Sequence, residues 1–572
     1  MQNSKRKLTM LNRFMKVRVN TSVKIFVVLL SLLSVLIFTQ CSREVRKNKD
    51  IVVIGISADV STLNPMFAFD LQEGHLTDLL YLKLAIEKWN DSLGLIEFEP
   101  MLAESWSVQP DSNLITFNLR DNLYWSDGVP ITIEDIIFSF DVYSDPAVNS
   151  RLYGLFENFF TDENLHIDLN KSFRKNSEKS LTVFFKDYKQ YSFLDFNFAI
   201  LPAHAYKNVL RENIETNELN FKPVTSGPFK LFKWDRDQKI HLVADSLCYL
   251  YSKKNIQEII FKVISDDFSM FTQLTTGEID LIENFEAEKI KKLEDYNQIT
   301  VGSIKGRDFD YLGWNNIDPA AFQKNQIRAN KFFASAKVRK ALSISINRNE
   351  IFNSIIGESG QIYDSPISPV FKSYIDSSLF NFVYNPSLAK KMLEEDGWKD
   401  LNGDGTLEKN NSEFSFEIYS NIGNPIREYA ANIIKNNLKE VGIEARIIFI
   451  DKAGFIDGLI NKKYDAWLSG WTVQIPINLD NFSNPNSEKG MFNFSSYNNQ
   501  DVNELLSRLN PADSQDKYIT TYKTISKIFK DTEPITVLFW QDNIIAYNKK
   551  IKNISFSPLG LYVDAWEWEI EK

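Results

Sequence analysis

The sequence predicts an α/β protein organised around a mainly parallel sheet, and three features point there. The stretch Phe414–Trp471 alternates strand and helix. It reads as a strand Phe414–Tyr419, a helix after Pro425 with Ala430, Ile433, Ile434, Leu438 and Val441 on one face, and a stop at Gly442. The strand Ala445–Ile450, a helix from Ala453 to Asn461 and the strand Ala466–Ser469 follow. A β-α-β-α-β order requires parallel neighbours joined by crossover helices. Near the other end, Asp50–Ile56 carries a continuous apolar run that ends in Gly55 and Ser57, consistent with a buried strand. With 572 residues, 44% hydrophobic and 24% charged, the chain has ordinary globular composition. That excludes collagen-like, coiled-coil and largely disordered readings and implies about two to four domains.

Between these ends the local signals are regular. Ile115–Leu119 alternates as a strand with Asp121-Asn122 as its turn. Thr132 followed by Asp135 is a capping pair that starts a helix Ile133–Tyr143. Lys230–Trp234 and Lys239–Val243 flank Asp235–Gln238 as a hairpin. Ile259–Ile264 reads as a strand, Phe268–Thr276 as a helix closed by Gly277, and Ile279–Ile282 as another strand. Aromatics reach 13%, with 43 Phe, a surplus that serves either thick packing or the wall of a ligand cleft.

The first forty residues read as an address. Met1–Lys24 carries seven basic side chains and no acidic one, and Ile25–Phe38 is apolar except for Ser31 and Ser34. A helix of that length spans about 21 Å, short of the roughly 30 Å hydrocarbon core, so the pattern is a secretory signal rather than a membrane span. Cys41 directly afterwards resembles the bacterial lipoprotein box, with Gln40 in place of the usual small residue. Acylation at Cys41 is expected to supply a membrane anchor, with 41–49 as a polar, basic tether. Loss of residues 1–40 takes the formal net charge from −10 to −17, and Cys248 then stands without an intrachain partner other than the acylated residue. A buried, inert thiol is expected there.

Several chemistries find no support. An acidic chain lacks the basic face of a nucleic-acid binder. There is no Cys-x-x-Cys, and His75, His166, His204 and His241 are too scattered for a local ligand pair. No Gly-x-Ser-x-Gly elbow, phosphate loop, His-Glu-x-x-His or dinucleotide fingerprint occurs. Asp400, Asn402 and Asp404, with Gly405, match positions 1, 3, 5 and 6 of a calcium loop, but position 12 is Asn411. A polar turn is the leading reading of that loop, with weak calcium binding second.

An ordered set of motifs identifies a resemblance. Leu102-Ala103-Glu104-Ser105-Trp106, then Phe117-Asn118-Leu119-Arg120, Trp125-Ser126-Asp127-Gly128-Val129-Pro130 and Glu134-Asp135-Ile136-Ile137-Phe138-Ser139 form the strongest block. Thr225-Ser226-Gly227-Pro228-Phe229-Lys230-Leu231, Gly277-Glu278-Ile279-Asp280, Tyr311-Leu312-Gly313-Trp314-Asn315 and Lys337-Val338-Arg339-Lys340-Ala341-Leu342 follow in order. Together they resemble the family 5 extracellular solute-binding proteins, the peptide- and nickel-binding subunits of ABC importers. The resemblance implies an α/β, type II periplasmic-binding-protein fold, two lobes around a ligand cleft with an additional inserted domain. Lobe I is expected from 50–88, 220–312 and 500–572, the inserted domain from 89–219, and lobe II from 313–499. Two chain crossings form the hinge between them.

The resemblance also implies where a ligand sits. Ser469-Gly470-Trp471-Thr472-Val473-Gln474 is similar to a stretch of the dipeptide-binding relatives in which an Asp pairs with the peptide's α-amino group, and Gln474 stands in its place. Truncating such a charge pair costs about 2–5 kcal/mol. Either another carboxylate substitutes, Asp480 or Asp70, or the ligand has no free amino terminus. The expected ligand-binding set is Phe69, Asp70, Trp314, Asn315, Gly470, Trp471, Thr472, Gln474 and Asp480, with core packing an equal reading for Trp471. The function implied is a lipid-anchored extracytoplasmic receptor that captures a peptide or peptide-like solute by cleft closure and delivers it to ABC permease subunits. It is expected to act as a monomer, with no covalent chemistry, no cofactor and no nucleic acid. The rivals are a non-peptide solute, either a sugar oligomer or a metal chelate, and a surface hydrolase, for which only unassigned carboxylates speak.

Overall fold

The computed structural model describes residues 50–571, apart from 110–111, 154–155, 157–158, 165, 187–192, 194–195, 286, 294, 377–381, 474–476, 478, 484–491 and 510–514. The signal segment 1–40, Cys41, the tether 41–49 and Gln474 therefore lie outside the described residues. Residues 50–572 form one compact unit. No helix among the described residues is long and apolar enough to cross a membrane.

The organising element is a pair of long antiparallel strands, Ile299–Trp314 and Ile535–Asn548. They lie in the middle of the largest sheet and join two strand groups. On one side come Leu281–Ile282, Ile51–Ile56, Glu258–Val263, Lys239–Ala244 and Phe229–Asp235. On the other come Ala466–Thr472, Ser415–Asn421 and Glu444–Ile450. Ile51–Ile56 is parallel to both Glu258–Val263 and Leu281–Ile282. Ser415–Asn421 is parallel to both Glu444–Ile450 and Ala466–Thr472. Parallel strands covered by helices on both faces explain the continuous apolar runs.

The direction of the flanking strands follows from the ladders. Leu281↔Tyr547 and Ile282↔Ala546 pair antiparallel, so the first group points its carboxyl ends toward the middle of the crossing pair. Asp308↔Thr472 and Trp314↔Ala466 do the same from the other side. The two sets of carboxyl ends therefore face one another. At that midpoint the ladder breaks: Ile304 pairs with Asn543 and Asp308 with Gln541, leaving Lys305, Gly306 and Arg307 opposite Asp542 alone. Gly306 sits at φ 65°, and a Cβ there would approach the Ser368 Oγ to 2.6 Å. Such a bulge bends the strand and concentrates twist. A third bridge crosses nearby. The hairpin Ala85–Asn90/Leu95–Pro100 accepts from Ser373 Oγ at the Leu93 carbonyl (2.6 Å) and stacks Trp89 edge-on against Phe371, 5.5 Å between centroids.

The segment 89–219 contributes a four-stranded antiparallel sheet, ordered Ala103–Gln109, Leu114–Leu119, Ser180–Phe184, Phe173–Ser177, and the helix Ile133–Ser144. It has no core of its own: Phe117 and Phe140 share one contiguous cluster with Ile54, Leu80 and Leu242. Much of the aromatic surplus is packing. Phe140 alone meets Phe156, Phe159, Phe173 and Phe198 at 4.8–5.8 Å. Trp314, Phe332, Phe333, Trp398, Phe414 and Phe416 form a second aromatic knot behind the other strand group.

The motifs are scaffold chemistry. Thr132 N–H donates to Asp135 at 2.8 Å, the reciprocal half of a capping box. Gly227 runs so close to Leu79 that a Cβ would lie 2.4 Å from its carbonyl oxygen. Asp280, wholly buried, accepts from Val53 N–H at 2.9 Å and pairs with Lys550 at 2.7 Å. Arg339 donates to the carbonyls of Thr532 and Glu533, and Lys340 to that of Lys530, so this motif caps the carboxyl end of the helix Gln515–Thr532. Cys248 is buried, and burial pushes its thiol up to about 12.

Glu533, 2% exposed, is raised to about 7 by burial and by Asp364, with Lys340 at 2.8 Å opposing. A carboxyl that holds its proton longer in the folded chain than in the unfolded one stabilises at low pH, and that stability is lost as pH rises from about 4.5 through 7. Urea unfolding of the wild type should show this fall between those limits. Glu533→Gln should flatten it and be the more stable protein at pH 8.

Candidate functional site

Ligands of open α/β sheets sit beyond the carboxyl ends of the parallel strands, and here two such ends oppose one another across the bulge. The first lip is built from the turn after Ile56, the helices Leu71–Leu80 and Asp267–Thr276, and the residues after Ile282. Between them lies a cavity of about 260 Å³ lined by Gly55, Ser57, Gln72, Glu283 and Tyr562 among others. Asn284 N–H donates to Asn543 Oδ1 (3.1 Å) and Phe285 N–H to the Ile544 carbonyl (2.7 Å), which fastens this lip to the crossing strand.

The second lip is built around an ion pair. Arg427 stands in the first turn of the helix Pro425–Glu440, where the macrodipole disfavours a cation. Its position is explained by Asp310 of the crossing strand, which accepts from Nη2 at 2.9 Å and from Nε at 3.2 Å, and by Asn421, which accepts from Nη1 at 2.8 Å. Asp310 is 2% exposed. Burial pushes its carboxyl up, Arg427 pulls it down, and its Oδ2 makes no hydrogen bond. Gly470 pairs with Asp310 across the ladder, and a Cβ there would come within 2.5 Å of Asp310 Oδ1 and 2.2 Å of Arg427 Nη2. Only glycine leaves room for the pair.

The profile of the bacterial extracellular solute-binding proteins, family 5 (middle region), matches residues 97–493. The chain belongs to this family. It is 28% identical to the oligopeptide-binding protein AppA of Bacillus subtilis, over 91% of this chain and 92% of that one. The probable D,D-dipeptide-binding periplasmic protein DdpA of Escherichia coli is 25% identical over 89% and 92%. The structure of B. subtilis AppA in complex with a nonapeptide matches with a TM-score of 0.70 at 26% identity, covering 91% of this chain and 99% of AppA. Campylobacter jejuni NikZ in complex with Ni(L-His) matches with a TM-score of 0.71 at 22% identity, over 91% and 100%. Family 5 proteins are extracytoplasmic solute-binding proteins rather than enzymes, and the two-lobed α/β architecture with its intervening cleft is that of the family.

The expected ligand residues divide in this family 5 chain. Gly470, Trp471 and Thr472 end a strand at the second lip. Trp471 is half-buried, edge-on to Phe482, Phe492 and Phe494, and Thr472 is exposed and donates to Asp308. Phe69 is 76% exposed beside the first lip. Asp70 next to it is occupied, accepting from Glu73 N–H at 2.7 Å as the cap of Leu71–Leu80. Trp314 and Asn315 are scaffold. Both are fully buried, with Trp314 Nε1 donating to Thr536 at 2.9 Å and Asn315 Nδ2 to the Tyr464 carbonyl at 3.0 Å. Asp480 opens the short helix Asp480–Ser483, and its side chain, like Gln474, lies outside the described residues.

The Asp400 loop is held by its own turn. Gly403 and Gly405 N–H groups donate to Asp400, Asn402 Nδ2 to Asp404 at 2.9 Å, and Leu401 N–H to Glu408 at 2.8 Å. Asp400, Asp404 and Glu408 offer oxygens within 4.8 Å of one another, so the third carboxylate is Glu408, while Asn411 turns a hairpin at φ 59°. Each of the four histidines pairs with a separate carboxylate: Glu283, Asp141, Asp127 and Glu258.

Sequence reasoning missed Arg427, Asp310, Glu283 and Tyr562. A signal existed for the first, since a basic residue in the first turn after Asn424-Pro425 runs against the helix dipole and calls for a nearby acid. Removing one member of a buried pair strands the other charge, at a cost of about 3–5 kcal/mol. Urea unfolding should therefore show Arg427→Met strongly destabilised, and Asp310→Leu/Arg427→Met restored most of the way toward wild type.

Proposed function

We propose that this protein is a lipid-anchored, monomeric receptor that captures a peptide or peptide-like solute between its two lobes and passes it to an ABC permease. The observation that carries the reading is the opposition of two sets of strand carboxyl ends across the bulge at 305–307, with main-chain groups and half-buried aromatics on the lips. Peptide backbone is met by main-chain hydrogen bonds and by wet or aromatic pockets for side chains. The likeness to AppA over nearly its whole length, in a structure holding a nonapeptide, supports an oligopeptide over a smaller solute. The nickel-chelate reading is weakened because the four histidines stand apart, each against its own carboxylate. Lobe I is drawn from 50–88, 220–312 and 500–572 and lobe II from 313–499, with 89–219 packed onto lobe I as one core and the helix Gln515–Thr532 resting against Arg339, Lys340 and the Trp467 cluster of lobe II. Acylation at Cys41 after removal of 1–40 supplies the anchor.

Native mass spectrometry of the 42–572 form, purified without denaturation, tests the solute. A mass excess that fragments as peptide is the expected result. A retained sugar oligomer or metal chelate, or turnover of a substrate panel without saturable binding, would replace this reading. Metabolic labelling of the full chain with palmitate, compared with Cys41→Ser, tests the anchor: label is expected on the wild type alone.

A further inference from the structure

We propose that the lobe I cavity is a subsite for the cationic group of the ligand, an ammonium or a guanidinium, held by Glu283. This deepens the peptide reading above and rests on it. Glu283 follows the strand Leu281–Ile282 and its side chain is 8% exposed. Its Oε1 accepts from Asn543 Nδ2 at 3.2 Å, and its Oε2 lies 3.4 Å from His75 Nδ1. Among the described residues no Lys or Arg comes within 4.0 Å of it, and Arg307, whose guanidinium feels the charge of Glu283 from farther off, donates to the Pro558 carbonyl. Three buried acids around the crossing strands are matched by cations, Asp280 with Lys550, Asp310 with Arg427 and Glu533 with Lys340, while the buried Glu73 and Asp135 accept from backbone amides. A buried carboxylate is stable only when paired and hydrogen-bonded, and it has about four acceptor sites to fill.

The surroundings of Glu283 are equally short of partners. Tyr562, 1% exposed, lines the same cavity and its hydroxyl makes no hydrogen bond. Gln72 lines it too, with a buried amide end unpartnered. His75 stands behind, 4% exposed, with Tyr562 edge-on to its ring at 4.8 Å and neither ring nitrogen hydrogen-bonded. Orphaned buried polar groups cost free energy, and native proteins keep them where function uses them. The charges at the cavity favour a cation. Asp267 joins Glu283 in its lining, and Lys289, the one basic side chain lining it, interacts with Asp266. With about 260 Å³ of space, the cavity admits the end of a Lys or Arg side chain or a peptide amino terminus.

The test uses the 42–572 protein and an equimolar random pentapeptide library, half with free amino termini and half N-acetylated, each half split into pools with and without Lys and Arg. Bound peptides are released and quantified by mass spectrometry for wild type, Glu283→Gln and Tyr562→Phe. The wild type is expected to favour a cationic pool over the acetylated pool free of Lys and Arg by about thirtyfold or more. Free-amino and Lys/Arg pools separate the two sources of the cation. Glu283→Gln should collapse that ratio. Tyr562→Phe, which removes a hydroxyl without a partner, should lower it several-fold at an unchanged or higher melting temperature. An unchanged ratio in both variants, or a wild type that prefers the uncharged pool, overturns the subsite while leaving peptide capture intact. Capture of no peptide by the wild type overturns the peptide reading and the subsite with it.

Discussion

The structure depends on two strands that each belong to two half-sheets. Ile299–Trp314 and Ile535–Asn548 run antiparallel through the centre of the sheet, and each flanking group pairs with a different portion of them. Strand polarity then leaves no choice. The flanking strands next to the crossing pair run antiparallel to it, so their carboxyl ends converge on its midpoint, and the loops that follow them become the two lips of one cleft. The three residues opposite Asp542 leave the ladder with the partner strand and bend the chain there, at the point where the expected hinge falls.

Polar groups inside this frame serve two purposes that their partners distinguish. Asp280, Arg339 and Lys340 hold the frame together through a strand amide, a helix end and an ion pair with Lys550. At the lips the account is left open. Asp310 keeps one oxygen without a hydrogen bond, and Glu283, Gln72 and Tyr562 surround a cavity with donors and acceptors to spare. Burial without partners is unfavourable for folding, and where such groups line a cavity, as Gln72 and Tyr562 do, a bound group can satisfy them.

The sequence shows the scaffold more clearly than the site. The apolar run at Asp50–Ile56, the cap at Thr132 and Asp135 and the β-α-β-α-β passage all correspond to elements found within a few residues, because local periodicity and capping act over one or two turns. The strand expected at Ile279–Ile282 is shorter, since Asp280 is spent on Val53 and Lys550. Trp314 and Asn315 belong to a recognisable motif and turn out to be buried structure. Arg427 and Asp310 lie 117 positions apart, and Glu283, His75 and Tyr562 come from three distant segments. No periodicity connects such residues. Only the tertiary fold brings them together.

A frame built in this way is expected to close its two lobes about residues 305–307 when solute binds. Spin labels on cysteines introduced at the exposed Thr272 of lobe I and Glu428 of lobe II, with Cys248 buried and unreactive, report the distance across the cleft. Pulsed electron resonance should give a broad distribution for the 42–572 protein stripped of ligand by unfolding and refolding. With an oligopeptide mixture, a narrower and shorter distribution is expected. An identical distribution in both conditions, with peptide shown to be bound, would contradict the hinge and leave the crossing strands as a rigid frame.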